Sequence, residues 1–278
     1  MLKQRVITAI ALLAVLLPAL FYTTPLPFCA VALLLIGAAA WEWSRLNGGG
    51  PAASLAWGAV CVALCASSWA VGGLVRPLLL LWVLVGAVWV LGGAYLLARG
   101  ATGWARIPPI WRVSGGVIAL WAAWLAVAQA RVIGIEFLLS MLMLVWVADI
   151  GAYFAGRRFG GRFSQNKLAP AISPGKSWEG VWGGMAGVLL LAWAWVLLQP
   201  AGQTIFHRLL AQHGGWVMSL SLVFLVAMSV VGDLVESLVK RSAGAKDSSG
   251  LLPGHGGVLD RVDALLPSLP LAMMLVSF

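Results

Sequence analysis

The chain has 278 residues, 62% of them hydrophobic and only 10% charged, with a formal net charge of +9. A soluble chain is about half apolar and a quarter charged. A soluble core of this length could not hide so much apolar surface, so most side chains meet lipid. The cations lie between apolar runs, so they report membrane topology and not a nucleic-acid partner.

Nine stretches are long enough to cross the hydrocarbon, which takes about 20 helical residues. In chain order they are roughly 5–22, 26–46, 53–73, 76–98, 112–130, 133–155, 177–199, 215–240 and 258–277. The expected fold is all-α, a polytopic integral membrane protein of about nine transmembrane helices. The start, Met-Leu-Lys-Gln-Arg before an apolar run, has the outline of a signal peptide. No small-residue cleavage site follows, so the first helix is expected to be retained. Thr23 to Pro27 form a tight turn between the first two spans, and Pro267 and Pro270 should kink the last or leave it shallow. Residues 1–130 are expected to form a scaffold, with a face for a homodimer, and residues 131–278 the catalytic region. The 16 Trp suit the two membrane–water interfaces. Cys29, Cys61 and Cys65 sit in apolar stretches as small buried residues.

With a cytoplasmic N-terminus, alternating spans put 15 of the 18 Lys and Arg inside and leave Arg76, Arg131 and Arg208 outside. Cytoplasmic loops collect cations in this way. Two inside loops, 156–176 and 241–257, are rich in Gly, Ser, Lys and Arg, the composition that brings backbone N–H groups and cations to phosphate.

Seven of the nine acids fall at or after position 149. Of the other two, Glu42, three residues before Arg45 at a helix end, and Glu136, at the start of a span, read as interfacial. Asp149 stands inside an apolar helix, where a carboxylate is costly unless it faces a polar cavity or a partner such as Tyr153. Asp233, Glu236, Ser237 and Lys240 line one helical stripe, and Arg241 follows. The stripe runs from carboxylate toward cation, as a metal–phosphate site requires, or it is a salt-bridge ladder within the helix. Lys246-Asp247 and Pro253-Gly254-His255-Gly256-Gly257 come next, with glycines that let backbone approach a ligand. Asp260-Arg261-Val262-Asp263 opens the last helix, so one carboxylate from each of two helices could clamp a cation.

Three lookalikes fail. Ser173-Pro174-Gly175-Lys176-Ser177 ends like a P-loop, but Pro170 stands where the first Gly belongs and no strand precedes it. His255-Gly256-Gly257 resembles an esterase oxyanion loop, but no Gly-x-Ser-x-Gly nucleophile exists. His207 and His213 fall on the outside with no zinc-site spacing. Gly183 and Gly187 form a small-xxx-small pair, which points to close helix packing.

The segment from Ser237 through Lys240-Arg241, Lys246-Asp247 and Leu252-Pro253-Gly254-His255-Gly256-Gly257-Val258-Leu259-Asp260-Arg261-Val262-Asp263 resembles the signature of the phosphatidate cytidylyltransferases (CDP-diacylglycerol synthases). Asp149-Ile150-Gly151-Ala152-Tyr153 and Ser173-Pro174-Gly175-Lys176-Ser177-Trp178-Glu179-Gly180 resemble the same family. The likeness covers residues 140–278 by motif and the first half by hydropathy. It implies transfer of a cytidylyl group from CTP to phosphatidic acid with Mg²⁺, giving CDP-diacylglycerol and pyrophosphate, at the cytoplasmic side of a bacterial inner membrane. On the resemblance, Asp233 and Asp260 ligate the cation, and Asp263 and Glu236 are alternate metal ligands or support those ligands from behind. Lys240, Arg241, Lys246 and Arg261 hold phosphates. His255 and the backbone of Gly254, Gly256 and Gly257 meet the nucleotide, with Ser237 and Asp247 beside them. Ser173 and Lys176 close the site, and Asp149 lines it. A CTP-dependent lipid or polyprenol kinase would release CDP instead. A transporter fits less well, because the charge gathers at one face and no repeat pairs the two halves.

Overall fold

The computed structural model describes residues 2–164 and 166–278, so position 165 of the expected loop 156–176 lies outside the described residues. The helices are α1 (Leu2–Phe21), α2 (Leu26–Leu46), α3 (Pro51–Ala70), α4 (Leu79–Ala87), α5 (Gly93–Ala105), α6 (Pro109–Ile133), α7 (Ile135–Phe159), α8 (Trp178–Leu198), α9 (Ile205–Ser242), α10 (Leu259–Val262) and α11 (Leu265–Leu275). No strand occurs among the described residues. A π-helical turn, Val88–Gly92, joins α4 to α5 without a break in helical backbone. Eight stretches are long and apolar enough to cross a membrane, and they match the first eight expected spans in order. The chain is an all-α, multi-pass membrane protein. α9 begins ahead of its expected span, but it breaks at Gly214 (φ 78°), so the crossing part starts where hydropathy placed it.

The ninth expected span is not one long helix. Residues 258–277 hold α10 and α11, four and eleven residues long. Eleven residues rise only about 16 Å, against roughly 30 Å of hydrocarbon. Pro267 has no N–H to bond the carbonyl of Asp263, and the helix breaks there. Leu266 through Met273 are all buried, so α11 packs inside protein. The charge count survives the change, since Arg261 is the last cation in the chain and precedes α11.

The chain forms two compact units. The first is Met1–Arg76, Ala101–Ile135 and Val239–Asp263. Within it α2, α3 and α6 pack on one another. All three cysteines are free and fully buried in this core, as expected. Trp43 Nε1 donates to the Arg112 carbonyl at 2.9 Å, and Arg131 donates to the carbonyls of Leu20 and Tyr22 at 3.0 and 2.7 Å. These two bonds offset part of the cost of burying Arg131.

The second unit is Pro77–Gly100, Glu136–Leu238 and Ala264–Phe278. Here α7 and α8 meet backbone to backbone. A Cβ on Gly184 would stand 2.7 Å from the Ala148 carbonyl, one on Gly151 2.8 Å from the Gly183 carbonyl, and one on Gly183 would overlap the Ala155 methyl. Small residues allow this approach. Gly187 is looser: a Cβ there would stand 3.5 Å from Val147 Cγ1, an ordinary contact. The glycine face of α8 is therefore covered by α7 of the same chain. Gly86 of α4 similarly yields to Leu271 of α11.

Candidate active site

In the second unit the site begins where α8 starts. Ser177 caps that helix, its Oγ accepting from the Gly180 N–H at 3.2 Å. The preceding turn is closed by a bridge between Ala169 and Ser173 and by the Lys176 N–H bonding the Ser173 carbonyl. That turn delivers Lys176, whose Nζ meets Asp233 Oδ2 at 2.7 Å. Ser237 Oγ donates to Asp233 Oδ1 at 3.2 Å, one turn along α9. Asp149, on α7, lies within electrostatic reach of both Asp233 and Lys176. Its carboxylate makes no hydrogen bond among the described residues. Tyr153, the expected alternative partner, instead accepts from Arg157 Nη1 at 3.0 Å.

The stripe on α9 is real, and its charges also reach partners beyond the helix. Leu234, Val235, Leu238 and Val239 are buried, as is Glu236 itself. Asp233 takes its cation from the turn before α8. Lys240, in the first unit, takes its anion from α10: Nζ meets Asp260 Oδ1 at 2.6 Å, with side chains only 12% and 6% exposed. The Lys176–Asp233 pair is wetter, at 26% and 33%.

Around Asp260 the chain from 247 to 260 folds into a cradle. Oδ2 accepts from the N–H groups of Ser248 (2.9 Å) and Gly257 (2.8 Å) and from Ser248 Oγ (2.9 Å). A bridge between Leu252 and Gly256 closes the tip. Gly256 has φ +84°, and a Cβ there would strike Asp260 Oδ2 at 2.7 Å. Only glycine suits both demands. Arg261 grips the His255 carbonyl with Nη2 at 2.6 Å and Nε at 3.2 Å, while His255 Nδ1 is buried and has no hydrogen-bond partner among the described residues. Gly254 offers its carbonyl to Arg5 Nε at 2.9 Å. Lys246 and Asp247 are exposed on the rim, as is Arg241, which reaches the Ala245 carbonyl at 3.4 Å. Asp263 ends α10, its N–H on the Leu259 carbonyl.

Two carboxylates carry more than the sequence suggested. Glu179 is buried, and its Oε1 accepts from the N–H groups of Phe163 (3.0 Å) and Ser164 (2.9 Å), tying the loop after α7 to the start of α8. Glu42 is not interfacial. It is 0% exposed and receives the N–H groups of Val258 (3.0 Å) and Leu259 (2.7 Å) and the hydroxyls of Ser248 (3.2 Å) and Ser249. Its nearness to Arg45 in sequence hid this. The one available signal was a carboxylate set between two Trp in an otherwise apolar turn. Glu136 does behave as an end-of-span residue, bonded to Gln199 Nε2 and the Gln203 N–H.

No group of three or more His, Cys, Asp or Glu gathers for a metal among the described residues. Mg²⁺ does not need one, since it commonly takes one or two carboxylates together with substrate phosphates and water. Asp233 and Asp260 are hard oxygen donors that each already face an ammonium group, so their positions suit a cation.

Fold and site together define a multi-pass membrane protein with acid–lysine pairs and a glycine cradle suited to phosphate chemistry. The chain belongs to the cytidylyltransferase family, whose model matches residues 3–278. A phosphatidate cytidylyltransferase of Pseudomonas aeruginosa is 40% identical over 97% of this chain and 95% of its own length. One of Haemophilus influenzae is 36% identical, with 97% and 96% covered. One of Staphylococcus epidermidis is 38% identical over 53% of this chain and 52% of its own length.

Proposed function

We propose that the protein transfers the cytidylyl group of CTP to phosphatidic acid, giving CDP-diacylglycerol and pyrophosphate, from the cytoplasmic side of a bacterial inner membrane. The observation that carries this reading is the Lys240–Asp260 pair set in the glycine cradle, in a chain matched over 97% of its length by a relative named for that activity. The charge asymmetry of the loops supports the cytoplasmic side. A homodimer would have to use a face other than the α8 glycines, which α7 covers.

In this reaction a phosphate oxygen of the lipid attacks the α-phosphorus of CTP. The new P–O bond forms as the bond to the β-phosphate oxygen breaks, and pyrophosphate leaves with the electron pair. The nucleophile is already anionic, so no activated Ser or Cys is needed. The protein's task is positioning and charge neutralisation. In the first unit Lys240, Arg241, Lys246 and Arg261 offer cations, and His255 and the backbone of Gly254, Gly256 and Gly257 offer contacts for a nucleotide; in the second unit Lys176 offers a cation, and Ser173 and Ser237 offer hydroxyls. Asp149, Glu236, Asp247 and Asp263 add local negative charge. Mg²⁺ would take a carboxylate oxygen of Asp260 in the first unit or of Asp233 in the second, and would supply further neutralisation of phosphate charge.

The test is detergent-purified protein with CTP, phosphatidic acid and Mg²⁺. Pyrophosphate and CDP-diacylglycerol should appear together, and chelation of Mg²⁺ should stop both. Asp233→Asn and Asp260→Asn should each abolish turnover. Release of CDP would favour a CTP-dependent kinase, and absence of any CTP-dependent product overturns the reading.

A further inference from the structure

Glu42 is the carboxylate of the first unit that the reaction above does not use, and it is the most enclosed acid there. It lies in the last turn of α2, more than 200 residues before the groups it contacts. Both oxygens accept twice. Oε1 takes the Val258 N–H and Ser249 Oγ, and Oε2 takes the Leu259 N–H and Ser248 Oγ. One side chain thus pins both ends of the cradle, 248–249 on entry and 258–259 on exit. The Ser248 hydroxyl is shared: it lies 3.2 Å from Glu42 Oε2 and 2.9 Å from Asp260 Oδ2. Its one proton can bond only one of the two oxygens at a time, so the hydroxyl couples the carboxylates by being shared between them. Gly257 has no room for a Cβ, which would overlap Ser248 Oγ and lie 2.5 Å from Glu42 Oε1. The absence of a side chain at 257 is therefore explained by Ser248 and Glu42 together.

We propose that Glu42 is a positioning residue for Asp260, orienting it through Ser248 and the backbone of Val258 and Leu259. The inference rests on the cytidylyltransferase reading for its kinetic consequence but not for its structural content. Partners that orient the groups at a metal site typically matter about 10- to 100-fold in affinity or activity. An amide in place of Glu42 keeps one acceptor oxygen and turns two donors toward groups that are themselves donors.

The experiment uses the full-length protein in detergent. Glu42→Gln should lower kcat/KM for CTP about 10- to 100-fold and raise the Mg²⁺ concentration needed for half-maximal rate. Hydrogen exchange should rise in segment 248–260 while α3 and α6 keep their protection. Ser248→Ala removes only the linking hydroxyl, so it tests the same route if Glu42→Gln does not fold. It should shift the Mg²⁺ dependence in the same direction, and the double variant should lose less than the two singles together. Glu136→Gln serves as the control, with unchanged rate. An unshifted Mg²⁺ dependence in both variants overturns the proposal, as does exchange that rises equally in α3 and α6. A wild-type protein with no CTP-dependent product refutes the enzymatic reading, and the exchange pattern then decides the anchoring role alone.

Discussion

Asp260→Asn separates stability from catalysis at the cradle. The carboxylate and Lys240 are nearly enclosed, at 6% and 12% side-chain exposure, and 2.6 Å apart. The Asn oxygen must stay on the Ser248 and Gly257 amides, which can only donate. Its NH₂ group then faces the Lys240 ammonium, which loses the carboxylate charge 2.6 Å away. Breaking one side of a buried pair costs about 3–5 kcal/mol, most of it from the orphaned charge. For a chain of this size that is a fall of about 5–9 °C in melting temperature. Lys240→Met alone orphans the anion and should also destabilise. The double variant Lys240→Met with Asp260→Asn removes both charges and should recover most of the loss while remaining inactive. Thermal unfolding of the four proteins in one detergent, with pyrophosphate release measured in parallel, reads both effects. Wild-type stability in Asp260→Asn, or a double variant less stable than either single, refutes the argument.

Other consequences are as direct. Lys176→Ala should abolish or strongly reduce pyrophosphate release yet change stability by no more than about 1 kcal/mol, because its pair with Asp233 is partly hydrated; a large loss of thermal stability would contradict this. Gly183→Leu should prevent the α7–α8 approach and yield aggregated protein on size-exclusion chromatography, whereas Gly187→Ala, with 3.5 Å to its nearest neighbour, should elute normally. Ala243→Cys should be labelled by a membrane-impermeant thiol reagent only from the cytoplasmic side, and Thr23→Cys only from the opposite side. Labelling of both from one side would break the proposed orientation. The native cysteines, all fully buried, should not interfere.

Much of the molecule was legible in the chain. Eight spans could be read because a crossing helix needs a long apolar run, a property of contiguous residues. Asp233, Ser237 and Lys240 could be placed on one stripe because helical spacing is local, and the Ser237–Asp233 bond bears that out. The ninth stretch misled, since hydropathy does not register the hydrogen bond that Pro267 cannot make to Asp263. Glu42 misled for the opposite reason: its sequence neighbour Arg45 suggested a partner, and its actual partners lie beyond position 247.

Composition and local spacing alone determined that this is an all-helical membrane protein with basic loops and a dense acidic segment near its end. Only the tertiary structure decided which charge meets which. It gave Lys176 to Asp233, Lys240 to Asp260, and the cradle's serines and amides to Glu42. Hydropathy and helical period act over a few residues, whereas ion pairs form across whatever distance in sequence the packing closes. No local pattern encodes that closure.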